Sequence, residues 1–76
     1  MSRHLPVVSG RQLIRILKRL GFVVLRQKGS HVALERRDGS DCWRTVVPLH
    51  RELRTGTLSD ILEQSGLTAD DLRDLL

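Results

Sequence analysis

A chain of 76 residues with a net charge of +4 has room for one small core and excludes a deep substrate cavity, so a shallow surface site is expected. Its longest apolar run is four residues, Phe22 to Leu25, which excludes a membrane span, and its first six residues lack the apolar stretch of a secretory signal. The one cysteine, Cys42, excludes an internal disulfide, and no cysteine–histidine cluster has the spacing of a zinc site.

These features lead us to expect a single cytoplasmic domain spanning 1–76, with no metal or other cofactor. The charge is uneven. Residues 1–54 carry +8 and residues 55–76 carry −4, and eleven of the thirteen cations are arginine. Arginine suits planar, bidentate grip on phosphate, so the first two-thirds of the chain reads as a nucleic-acid surface.

Ser9 and Gln12 supply a capping box for a first helix, with Val8 able to staple onto Leu13. Leu13, Ile14, Leu17 and Leu20 form its apolar stripe, Arg11, Arg15, Lys18 and Arg19 fall mostly away from it, and Gly21 ends it. Three strands follow: Phe22 to Gln27, His31 to Arg37 and Cys42 to Val47. Lys28-Gly29-Ser30 and Asp38-Gly39-Ser40 are the turns between them, and Pro48 stops the third. Cys42 is expected to be a small packing residue, and Trp43 to pack rather than stack on a base. Leu49 to Gly56 reads as a loop. Thr57 with Asp60 reads as the start of a second helix that Gly66 closes, and Thr68 to Asp71 as the start of a short third helix, with Leu67 stapled onto Leu72. The order α-β-β-β-α predicts a two-layer α+β fold: a three-stranded antiparallel sheet with helices on one face, as in double-stranded-RNA-binding domains.

His31 is the leading chemical candidate. It opens a strand directly after a glycine turn, and Arg26 and Lys28 precede it. If Val32 and Leu34 pack on the helices, alternation puts His31 on the open face with Ala33 and Glu35. Ser30 offers a hydroxyl to the imidazole or to a phosphate oxygen. His50, two residues past Pro48, meets His31 only if its loop folds back, and a loop-fixing role suits it better. His4 falls in a terminal segment expected to fray. Phe22 and Trp43 are the only aromatics, too few for reading single strands by stacking alone. No paired carboxylates stand ready for metal-assisted hydrolysis. RNA carries a 2′-hydroxyl that can attack the adjacent phosphorus once a base takes its proton. A histidine side chain, with an ordinary pKa of about 6.5, suits that transfer. A histidine-dependent, metal-independent ribonuclease is therefore coherent. A non-catalytic double-stranded-RNA-binding module is the alternative.

From Ser9 to Leu75 the chain resembles the HicA (YcfA-like) family of mRNA interferase toxins. The resemblance is carried by Ser9-Gly10 before the helix, Gly21-Phe22, and Arg26-Gln27-Lys28-Gly29-Ser30-His31. It continues through Val47-Pro48-Leu49-His50, Gly56-Thr57-Leu58, Ile61-Leu62 and Ser65-Gly66-Leu67. The resemblance implies a double-stranded-RNA-binding-like fold, ribosome-independent cleavage of mRNA and a HicB-type antitoxin as partner. It maps the catalytic histidine onto His31, with Gly29 and Ser30 as structural companions and His50 as a structural or auxiliary residue. Where many relatives carry another histidine or an aromatic just after the motif, this chain has Val32, Ala33 and Leu34. Arg11, Arg15, Arg26 and Lys28 are the expected RNA-binding residues.

Overall fold

The computed structural model describes residues 5–76; the expectation for His4 lies outside them. Its elements are α1 (Gly10–Arg19), β1 (Val23–Lys28), β2 (His31–Asp38), β3 (Asp41–Pro48), α2 (Thr55–Ser65) and α3 (Ala69–Leu75). The strands form an antiparallel sheet in the order β1-β2-β3, so the α+β architecture read from the sequence is the one observed.

The capping box of α1 is made in full. The Ser9 hydroxyl accepts from the Gln12 N–H at 3.1 Å, and the Gln12 side chain accepts from the Ser9 N–H at 2.8 Å. The buried stripe is Leu13, Ile16 and Leu17, while Ile14 is only half-buried. Ile16 completes the i, i+3, i+4 set with Leu13 and Leu17, which rotates Ile14 to the flank. Gly21, at φ 99°, turns the chain out of the helix.

Both hairpins have two-residue loops. Gly29 (φ 60°) and Gly39 (φ 61°) take the first loop position, and Ser30 and Ser40 keep negative φ, the sign pattern of a type II′ turn. The register that follows pairs Val32 with Val47 and Leu34 with Thr45, all buried beneath the helices. His31, Ala33, Glu35 and Arg37 point to the other face. Cys42 pairs with Arg37 on that face and is exposed, so it is not the packing residue expected. Trp43 is half-buried against the core, as expected.

The second helix begins two residues before the expected start. Thr55 is its first residue, Arg54 caps it without a side-chain bond, and Thr57 and Asp60 lie inside it. Tertiary burial sets this boundary. Leu53 is buried and its N–H donates to the Val8 carbonyl at 2.9 Å, and the Leu58 N–H then reaches the Arg54 carbonyl at 2.9 Å. Winding from Arg54 carries Leu58, Ile61 and Leu62 into the core. Gly66 ends α2 at φ 73°, and Thr68 and Asp71 form the expected capping box of α3. Hydrogen bonds to its carboxyl from the Thr68 backbone N–H and from the Thr68 side chain hold Asp71 below its usual range.

A Cβ at Gly66 would lie 3.1–3.3 Å from three carbons of the Trp43 ring. Gly66→Ala therefore combines a left-handed backbone with a tight ring contact. It is expected to cost about 2 kcal/mol in chemical denaturation. A cost within error of zero would refute the Trp43 contact.

Candidate functional site

Lys28 and His31 close the first hairpin as a cross-strand pair. The Gln27 side-chain amide donates to the Gly29 carbonyl at 3.0 Å, bracing the turn. A Cβ on Gly29 would meet nothing within 4 Å, so glycine is required there by its positive φ alone. The Ser30 carbonyl accepts from the Leu49 N–H at 2.7 Å. Ser30 thus acts through its backbone, tying the hairpin tip to the segment after β3.

That segment is tied a second time. The His50 carbonyl accepts from the Gly10 N–H at 2.9 Å. His31 pairs with Pro48, so His50 stands two residues beyond the residue opposite His31. Both histidines are exposed, and no hydrogen bond joins their rings. That bond is made by the His50 backbone and would form with any residue at this position, so it says nothing of a role for the imidazole.

The expected RNA-binding residues fall into two groups. Arg26 is opposite Ala33, and Lys28 is opposite His31, which places both on the face that carries His31. Arg11 and Arg15 instead line a groove of about 290 Å³ between α1 and β1, together with Lys18, Val24, Gln27 and Leu49. Val24 and Gln27 pair with Leu34 and Val32, so this groove opens on the helical side of the sheet. The two groups flank the hairpin from opposite faces.

Sequence reasoning passed over a cluster on the open face. Glu35 is opposite Arg44, and its carboxylate accepts from Arg37 Nε at 2.6 Å and Arg44 Nε at 3.2 Å. The signal was in the Asp38-Gly39-Ser40-Asp41 turn, because a two-residue loop there places 35 opposite 44. Burial alone would raise the Glu35 pKa. Hydrogen bonds from Arg37 and Cys42 and the charges of Arg37 and Arg44 outweigh it, so the net direction is down. The same carboxylate, together with Cys42, raises the pKa of Arg44.

A lowered carboxylate pKa gives stability that is complete above the ordinary value of 4.5 and lost as pH falls through the native value. Thermal unfolding followed from neutral to acid pH is expected to show this loss in the wild type. Glu35→Gln is expected to be less stable at neutral pH and to have a shallower acid limb. An acid limb unchanged by the substitution would show that the cluster contributes nothing.

Among the described residues there is no group of three or more His, Cys, Asp or Glu side chains able to hold a metal ion. No helix among them is long and apolar enough to cross a membrane. A search of curated proteins finds no match for the chain. The family model described as the HicA toxin of bacterial toxin–antitoxin systems matches residues 10–67. That span runs from the first turn of α1 through the hairpin bearing His31 to the residue after Gly66. It covers well over half of the sequence, so the chain belongs to the HicA family and is the toxin of a toxin–antitoxin pair, with an antitoxin as its protein partner.

Proposed function

We propose that this toxin is an endoribonuclease that cuts mRNA in the cytoplasm, with His31 as its proton-transfer residue and a HicB-type protein as its antitoxin. The observation that carries this reading is the placing of an exposed imidazole at the hairpin end of β2, on one face with Arg26 and Lys28. An RNA phosphodiester lying across this end would meet a proton-transfer group and two cations together.

The 2′-oxygen attacks phosphorus, the 5′-oxygen leaves, and a 2′,3′-cyclic phosphate forms. His31 takes the 2′-hydroxyl proton or gives a proton to the leaving oxygen. Arg26 and Lys28 meet the charge that builds on the phosphoryl oxygens. Gly29 sets the turn, and Ser30 and His50 hold it to the rest of the fold through their carbonyls. Arg11 and Arg15 would bind RNA backbone approaching from the helical side.

The test is cleavage of an end-labelled single-stranded RNA in excess EDTA, beside the same RNA with one 2′-deoxy nucleotide at the cut site. The expected result is cyclic-phosphate ends from the first and no cut at the deoxy position in the second. Cleavage at the deoxy position, or loss of cleavage in EDTA, would overturn the mechanism. Salt-sensitive duplex binding without scission would favour the non-catalytic module.

A further inference from the structure

The open face of the sheet carries a second cationic feature in line with His31. Residues 31, 33, 35 and 37 of β2 alternate onto that face. Arg44 stands opposite Glu35 in β3, so it shares the face with them. From His31 to Glu35 is roughly 13 Å along the strand, about two nucleotide steps of an extended chain. Between them the face is low and apolar, because Ala33 is small and Val46, opposite it, is 48% exposed. An RNA strand seated at His31 can therefore run along β2 as far as Glu35.

Glu35 does not meet that strand as a free acid. Its side chain is 7% exposed, whereas those of Arg37 and Arg44 are 73% and 65% exposed. Each arginine reaches the carboxylate through Nε, and neither makes an ion pair with another acid among the described residues. Arg36 and Arg73, by contrast, each pair with an acid of their own, Asp38 at 3.8 Å and Asp70 at 2.7 Å. Two guanidinium groups on one carboxylate leave one positive charge uncompensated, and they hold side by side two cations that would otherwise move apart. The terminal amino groups of both stay available to a further anion. A phosphodiester suits them, because its two unbridged oxygens accept from planar N–H forks.

Resting on the ribonuclease reading above, we propose that Arg37 and Arg44 form a second phosphate subsite, which grips single-stranded RNA about two nucleotides from the cut. Glu35 is its positioning residue. The subsite binds substrate and takes no part in proton transfer.

The test neutralises phosphates one at a time. The probe is a labelled octanucleotide with a single mapped cut, made with a 2′-deoxy nucleotide at that cut so that it stays whole. Versions carrying one uncharged methylphosphonate at each linkage in turn are titrated by fluorescence anisotropy. One replacement, about two linkages from the cut, is expected to weaken binding by the wild type about tenfold. Arg44→Ala is expected to weaken binding of the all-phosphate strand to the same degree, and to lower the slope of log affinity against log salt by about 0.7. On the strand with that methylphosphonate it is expected to cost nothing further, because both changes remove one contact. Circular dichroism checks the fold, and Arg37→Ala reads the same subsite should Arg44→Ala not fold. Losses that add in a folded variant, or an RNA affinity that neither variant changes, overturn the subsite. So does weakened antitoxin binding in either variant with RNA binding intact. If the wild type cuts no RNA while one methylphosphonate still couples to Arg44, the ribonuclease reading falls and the subsite stands.

Discussion

His31→Ala is expected to lower the rate of RNA cleavage by roughly 10²–10⁴-fold, the usual contribution of one positioned acid–base group. The side chain is exposed and hydrogen-bonds to nothing among the described residues, so its removal leaves the sheet and core untouched. Thermal midpoint and far-ultraviolet circular dichroism are expected to match the wild type. RNA affinity is expected to change little, because Arg26 and Lys28 remain to meet the phosphates. A variant that keeps at least a tenth of the wild-type rate removes His31 from the chemistry. A variant that loses rate and affinity together makes it a binding residue.

Gly10→Ala is expected to be the most destabilising methyl that can be added to this fold. A Cβ at Gly10 would stand 2.0 Å from the Pro48 carbonyl oxygen, 3.0 Å from its carbon and 3.1 Å from the Leu49 Cα. All three are backbone atoms, so no rotamer change relieves the clash. The loop must move, and the Gly10–His50 hydrogen bond goes with it. The expected cost is about 3 kcal/mol, a fall in thermal midpoint of roughly 15 °C for a domain of this size. Gly56→Ala is the internal comparison. That glycine lies in the first turn of α2 with nothing within 4 Å of a new Cβ, so helix propensity alone acts, and the substitution is expected to stabilise by about 0.5–1 kcal/mol. Two Gly→Ala changes of like sign would show that the α1–loop contact is wrongly placed. Because Leu49 also bonds Ser30, Gly10→Ala is further expected to slow cleavage although it lies far from His31 in sequence.

What could be read from the sequence was whatever rests on local chemistry. Ser9 with Gln12 and Thr68 with Asp71 are short-range boxes, and both form. Gly29 and Gly39 sit where two-residue hairpins need positive φ, and the register that follows sends His31 to the open face. Where a local signal competed with tertiary burial, burial won. The threonine–aspartate spacing at Thr57 and Asp60 resembles a cap. Anchoring of Leu53 to Val8 started α2 earlier. The Gly10–Pro48 approach joins segments nearly forty residues apart, and nothing in either segment announces it. The clustering of Arg44, Glu35 and Arg37 follows from the second hairpin, but only once the turn length is fixed.

The first strand carries a further consequence. β1 is one of the sheet's two outer strands, every residue of it is exposed, and Val23, Val24 and Leu25 lie side by side along it. A flat edge of that composition would recruit the same edge of another molecule and grow into aggregates. The irregularity between Val24 and Arg26 interrupts the spacing of the backbone groups such growth would need. Arg26 and Lys28 then repel an approaching copy over the second half of the strand. The residues that would hold RNA thus also keep copies of the toxin from adding to one another through this edge.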